Sequence, residues 1–285
     1  MRTTRTAVRR FTALVLAAVL FFFVRDALAY CRSTTCDPKK GDECEKNEEG
    51  CIRSGAGLRW RSLPINYRFS SVGTEKLDEV AARKAVRRAF ENWANVTCPN
   101  GVRTSLSFQE VADSRGVSDP WTIHFRDEEW SHDDGDESLA LTNQRYGKNT
   151  GFIEFADIEI NTATEIFSVE KNEPGLDLET VVTHEVGHYI GLAHSNVRGS
   201  IMAPRYCQDG QNCGTAELSE DDIAAVCLVY PPAATSETLP APPPVSRGCS
   251  LSSSPFSTPS QRAIGAFAVA LFTSALVRRV RRSAA

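Results

Sequence analysis

The chain has 285 residues and a formal net charge of −4, a total that conceals an uneven distribution. Residues 1–29 carry five Arg and one Asp and residues 247–285 carry six Arg and no acid, so removing +4 and +6 from −4 leaves −14 for the middle. An acidic body argues against nucleic acid or anionic lipid as its partner, and the roughly 200 residues between the two ends suffice for one domain with a sizeable core.

In chain order, residues 1–29 read as a secretory signal: Arg2, Arg5, Arg9 and Arg10 make a basic start, Phe11 to Val24 is apolar, and Ala27-Leu28-Ala29 is a small-residue cleavage site. Residues 30–57 are a Cys-rich N-terminal extension or pro-segment. Of nine cysteines, setting aside Cys249 leaves eight between Cys31 and Cys227, an even number that allows four disulfides in an exported chain. Cys207 and Cys213 are near enough to close a small loop, while Cys31, Cys36, Cys44 and Cys51 form a compact cluster. Disulfides are the favoured reading of that cluster and a second zinc site the competing one, because paired C-x-x-C units are lacking and an oxidising compartment favours disulfides. Residues 30–57 could be a removable pro-region whose Cys or Asp blocks a metal, or a permanent disulfide-bonded extension.

Residues 58–232 form the body. Leu63, Ile65, Tyr67 and Phe69 alternate with Pro64, Asn66 and Arg68, which is strand spacing. From Leu77 to Trp93, Val86, Ala89, Phe90 and Trp93 recur on one helical face, and Trp93 is expected in the core. Further strands are predicted at Ser105 to Val111, Trp121 to Phe125 and Gly151 to Ile160. The acidic stretch Asp127, Glu128, Glu129, Asp133, Asp134, Asp136, Glu137 could gather oxygen ligands for Ca2+, a solvated loop being the plainer version.

The most informative string is His184-Glu185-Val186-Gly187-His188-Tyr189-Ile190-Gly191-Leu192-Ala193-His194. On a helix, His184 and His188 lie one turn apart and point the same way, so two imidazoles can bind one Zn2+. Gly191 allows the chain to leave the helix and bring His194 round as third ligand, with a fourth position open to water. Glu185 can reach that water without ligating the metal. Asp177 is expected to cap this helix, and Ser219 the last one, with Glu220, Asp221 and Asp222 at its positive end.

Beyond the body, residues 233–262 form a Pro/Ser-rich linker that includes Cys249. Residues 263–285 form a hydrophobic segment and an Arg cluster: Ala263 to Val277 is an uncharged run, short for a bilayer span, followed by Arg278, Arg279, Arg281 and Arg282. With Gly248-Cys249-Ser250, this tail resembles the myxobacterial C-terminal sorting tag; a plain C-terminal anchor is the alternative.

The histidine string resembles the metzincin clan of zinc endopeptidases. Ser195 after His194, and Ser200-Ile201-Met202-Ala203-Pro204 as a Met-turn, resemble its matrixin branch; no tyrosine follows two residues after Met202, where astacin-like and serralysin-like relatives place one. The resemblance implies an α+β fold: a twisted, mostly parallel sheet with an antiparallel edge strand, packed on two helices, and a small C-terminal subdomain with the Met-turn and a final helix. It implies one catalytic Zn2+ on His184, His188 and His194, Glu185 as general base, and Met202 as a hydrophobic floor. By the same resemblance, Ala156 to Asn161 looks like the cleft-bordering edge strand, so that Phe155, Ala156, Asp157 and Ile158 would pair with substrate main chain while Pro204 and Tyr206 wall a side-chain pocket. The departures are a missing P-R-C-G-type cysteine switch, missing hemopexin-like repeats and no second histidine set, only His124 and His132 remaining. The expected protein is a monomeric endopeptidase, secreted across the inner membrane to the cell surface or beyond, that acts on proteins or peptides and contacts membrane only through its tail. The other class is a surface adhesion or scaffold module with a structural zinc.

Overall fold

Helix α1, Glu79–Ala94, is built on one apolar stripe: Ala82, Ala85, Val86, Ala89, Phe90 and Trp93 are buried, and Asp78 caps its start by accepting from the Ala81 amide. The computed structural model describes residues 30–114, 119–132, 138–170, 173–207, 210 and 213–233. The expected signal, the linker beyond residue 233 and the 263–285 tail lie outside them. Among the described residues, no helix is long and apolar enough to cross a membrane.

The strands are β1 (Arg59–Trp60), β2 (Ile65–Phe69), β3 (Phe108–Glu110), β4 (Thr122–Phe125), β5 (Ala140–Tyr146) and β6 (Phe152–Ile160), with a small parallel pair β7 (Phe167–Ser168) and β8 (Leu176–Asp177). In the main sheet β3, β2, β4 and β6 are adjacent and parallel, β1 pairs in parallel with the start of β6, and β5 runs antiparallel along the other side of β6. This is the α+β arrangement expected, a mostly parallel sheet with one antiparallel edge. Strand β2 starts at Ile65 and not at Leu63, because Pro64 has no N–H to give to a ladder.

Helix α2, Leu178–Tyr189, packs on α1 behind the sheet. Trp93 is fully buried, and its indole N–H donates to the Thr183 carbonyl at 2.8 Å, tying the two helices together. Phe90 stacks on Tyr67 of β2 at 4.0 Å and meets Tyr189 edge-on, while the Tyr189 hydroxyl donates to the Asn66 carbonyl at 2.8 Å. The aromatic cluster therefore locks α1 and α2 to the middle of the sheet. Helix α3, Glu220–Val229, closes the body.

One expectation about the strands is corrected. Phe155–Ile160 is not an edge: Ile158, Glu159 and Ile160 pair with β4 on one side and with β5 on the other, and Ala156 and Ile158 are fully buried. Asp157 accepts from the Thr122 amide at 2.7 Å, a structural bond across to β4, and burial pushes its carboxyl up to about 6. The edge is β5, which the predicted elements omitted.

All eight cysteines between Cys31 and Cys227 pair: Cys31–Cys51, Cys36–Cys44, Cys98–Cys227 and Cys207–Cys213. The four-cysteine cluster is thus two disulfides and not a zinc site, and none of its thiols is free to block a metal. Cys98–Cys227 joins the segment after α1 to α3 across 129 residues, whereas Cys207–Cys213 spans 6. Loop closure restricts the unfolded chain more for the longer span. Replacing Cys98 and Cys227 by Ser should lower unfolding free energy by about 2–5 kcal/mol and cost more than the same change at Cys207 and Cys213; denaturant titration of both double variants checks the order.

Candidate metal centre and active-site cleft

Asp177 caps α2 by accepting from the Thr180 amide at 2.7 Å, so the helix starts where the sequence predicts and carries His184, Glu185 and His188 on successive turns. It ends at Tyr189, and just past the Ile190 cap Gly191 takes a φ of 98° that is closed to other residues in practice. A β-carbon there would also collide with the Leu58 carbonyl oxygen. The chain therefore turns back at Gly191 and delivers His194 beside the helix.

His184, His188 and His194 each offer a ring nitrogen within 4.8 Å of the others, and among the described residues no other group of three or more His, Cys, Asp or Glu side chains converges in this way. The His184 Nδ1–H donates to the Ile201 carbonyl at 2.7 Å, and that of His188 to the Leu192 carbonyl at 2.9 Å. With both Nδ1 atoms protonated, the facing Nε2 atoms, 3.1 Å apart, are two lone pairs without a hydrogen between them. Burial also disfavours the charged imidazolium, pushing His184 and His194 down to about 4 and lowering His188. Neutral rings with converging lone pairs fit a cation, and the Nε2 spacing approaches the roughly 3.3 Å of two nitrogens bound at about 2.05 Å in a tetrahedron.

Glu185 is buried and is not part of the histidine group. Its Oε2 lies 2.5 Å from the Thr142 hydroxyl, which is also 3.0 Å from the Glu185 carbonyl oxygen. Burial raises its pKa, with the neighbouring His188 and the Thr142 hydrogen bond opposing. Gln144, two residues along β5, donates from Nε2 to the His188 carbonyl at the end of α2. Thr142 and Gln144 thus fasten the edge strand to the helix on either side of the catalytic candidate. Neither was singled out in the sequence; the available signal was a threonine two residues from a glutamine in a stretch able to extend.

Beneath the histidines, Met202 is buried, and a β-carbon at Gly187 would collide with its Sδ and with the Trp93 ring. The Met-turn thus fills the space that a glycine on α2 leaves. Asp222 secures this turn: its carboxylate accepts from the Ser200 hydroxyl at 2.6 Å, the Ile201 amide at 2.9 Å and the Ser219 amide at 2.8 Å, completing a capping box with Ser219. Asp221 accepts from Ser195 at 2.7 Å. The first turn of α3 therefore anchors both the Met-turn and the loop after His194.

A cleft of about 1010 Å3 opens over these groups, lined by β5, the three histidines, Glu185, Pro204 and Tyr206. Pro204 and Tyr206 are among the residues that line the cleft. Phe155, Ala156, Asp157 and Ile158 do not line it, being covered by β5.

Sequence comparison matches the matrixin family model to residues 59–231, most of the described body. The chain belongs to the matrixin family. It is 30% identical to the hatching enzyme of Paracentrotus lividus over 179 residues, covering 61% of this chain and 27% of that protein. It is 32% identical to human matrix metalloproteinase-16 over 183 residues, 62% of this chain and 28% of the relative. Against metalloendoproteinase 4-MMP of Arabidopsis thaliana it is 29% identical over 176 residues, 60% of this chain and 48% of the relative. This matrixin thus spans from about a quarter to a half of the length of these relatives.

The segment 30–57 lies outside the family match and is joined to the third-ligand loop by main-chain bonds. The Ser33 amide donates to the Gly191 carbonyl at 3.0 Å, and the Ala193 amide to the Cys31 carbonyl at 3.0 Å. Asn196 adds a side-chain bond to the Glu49 carbonyl at 2.8 Å.

Among the described residues, the remaining histidines and acidic side chains make no second metal-holding group of three or more. His124 is buried in β4 and kept neutral by burial and Arg126, its pKa pushed down to about 4, and His132 faces Glu159 at 3.2 Å. Asp127 accepts from Thr74, Thr162 and the Glu75 amide, an anchoring role, and Asp133, Asp134, Asp136 and Glu137 lie outside the described residues.

Two outcomes check this geometry. His194→Ala should lose metal on dialysis against a weak chelator while the parent retains it, measured by elemental analysis. Thr142→Val, which keeps side-chain volume but deletes the hydroxyl, should leave metal content unchanged and lower kcat for peptide cleavage by about tenfold or more with little change in KM. Thr142→Ser should restore the rate.

Proposed function

We propose that this matrixin is a zinc-dependent endopeptidase, secreted or surface-anchored, that hydrolyses peptide bonds of extracellular proteins. The observation that carries this reading is a buried carboxylate, Glu185, beside three converging imidazoles and at the base of an open cleft. A site serving stability alone would have no use for an unligated acid next to an open position. Pairing of the eight body cysteines and the relatives named as metalloproteinases support the reading and its oxidising compartment.

His184 and His188 through Nε2, together with His194, would hold the zinc. Bound zinc supplies Lewis acidity toward a carbonyl and lowers the pKa of a water to about 7. Glu185 takes a proton from the attacking water and returns it to the leaving amine. Its carboxylate is steadied by Thr142, whose hydroxyl lies 2.5 Å from Oε2. Substrate main chain would add as a further strand along β5, whose far side carries no strand among the described residues. Pro204 and Tyr206 would border the pocket for the side chain after the cleaved bond.

Glu185→Gln should fold and bind zinc like the parent yet cleave a quenched peptide library about 10²–10⁴-fold more slowly. Chelator-sensitive cleavage by the parent, together with circular dichroism and zinc content of the variant, makes the measurement decisive; a variant as fast as the parent removes Glu185 as the base.

A further inference from the structure

Among the described residues, the charged lining of the cleft, apart from the histidines and Glu185, is cationic: Lys39, Arg198 and Arg205. They come from separate parts of the chain. Lys39 sits on the short 3₁₀ turn Pro38–Lys40 of the N-terminal segment, Arg198 in the loop between His194 and the Met-turn, and Arg205 on the wall just after it.

All three are exposed, and among the described residues none has a carboxylate within ion-pair distance. Some arginines elsewhere are paired, as Arg83 with Glu79 and Asp113, Arg87 with Glu110, Arg88 with Glu179 and Arg126 with Glu159, while others, such as Arg59 and Arg145, are like the cleft cations in having no ion pair among the described residues. A concave site lined by one sign of charge concentrates ligands of the other, whereas residues 30–246, carrying −14, repel them elsewhere.

Resting on the endopeptidase reading, we propose that the cleft selects acidic substrates: polypeptide segments with Asp or Glu side chains flanking the scissile bond, recognised by Lys39, Arg198 and Arg205. The N-terminal segment thereby has a part in substrate choice, since it supplies Lys39 from outside the family match.

The test uses the full chain and peptides of one sequence with Glu, Gln or Lys at the flanking positions. Binding to the zinc-loaded Glu185→Gln protein is read by fluorescence anisotropy, so the result does not depend on turnover. The Glu peptide should bind about tenfold more tightly than the Gln peptide at low salt, and the gap should close as ionic strength rises. Adding Lys39→Glu, Arg198→Glu and Arg205→Glu together should invert the order in favour of the Lys peptide, with zinc content and circular dichroism unchanged. If the combined variant does not fold, the salt dependence of the parent and the single change Lys39→Gln decide, the latter by narrowing the Glu-over-Gln gap. Equal binding of Glu and Gln peptides, or a preference indifferent to salt, overturns the proposal. Cleavage by the wild-type chain without charge preference also overturns it and leaves the endopeptidase reading standing. Charge-selective binding with no cleavage of any peptide does the reverse.

Discussion

Two backbone carbonyls determine whether there is a metal site at all. Ile201 and Leu192 each accept the Nδ1 proton of one helix histidine, which fixes the tautomer and turns the two Nε2 lone pairs toward each other. Neither carbonyl belongs to the helix. Leu192 lies just past its end, where Gly191 reverses the chain, and Ile201 lies in the Met-turn. The aim of the imidazoles therefore depends on how firmly two irregular segments are held.

Each segment has its own anchor. On one side, Asp222 of the last helix gathers Ser200 and the Ile201 amide, and Asp221 takes Ser195. On the other, the disulfide-stapled N-terminal segment brackets Gly191 to Ala193 with main-chain bonds. Both carboxylates are buried and hydrogen-bonded, the condition under which a low-dielectric setting makes a polar network rigid and not merely costly. Helix α2 itself is held by the Trp93 indole and by Thr142 and Gln144 from the edge strand. Fold and site are thus one set of constraints, with the helix fastened on three sides before a metal binds.

Much of this was legible in the residues. The spacing of His184, His188 and His194 encodes the site because helical geometry is periodic, and Asp177 and Ser219 announce their helices because capping needs a short oxygen-bearing side chain at one position. Strand β5 was not legible. Ala140–Tyr146 is half-buried along most of its length and carries Thr142, Asn143, Gln144 and Arg145 in succession, so no alternation of apolar and polar residues marks it. Phe152–Ile160 has the opposite character, with apolar residues on the faces of an interior strand, and only pairing on both sides distinguishes it from the edge. Cysteine pairing within the N-terminal cluster and the contact of that segment with the ligand loop are likewise tertiary facts, since the bonds run through backbone atoms common to nearly every residue.

That last feature has an evolutionary corollary. A brace made of amides and carbonyls tolerates wholesale change in the side chains around it, so long as Cys31 and Cys51 keep its shape. The outer surface of such an appendage can drift, or be exchanged between lineages, while the histidines remain aimed as before. Selectivity at the cleft is then open to change in a region that never touches the chemistry.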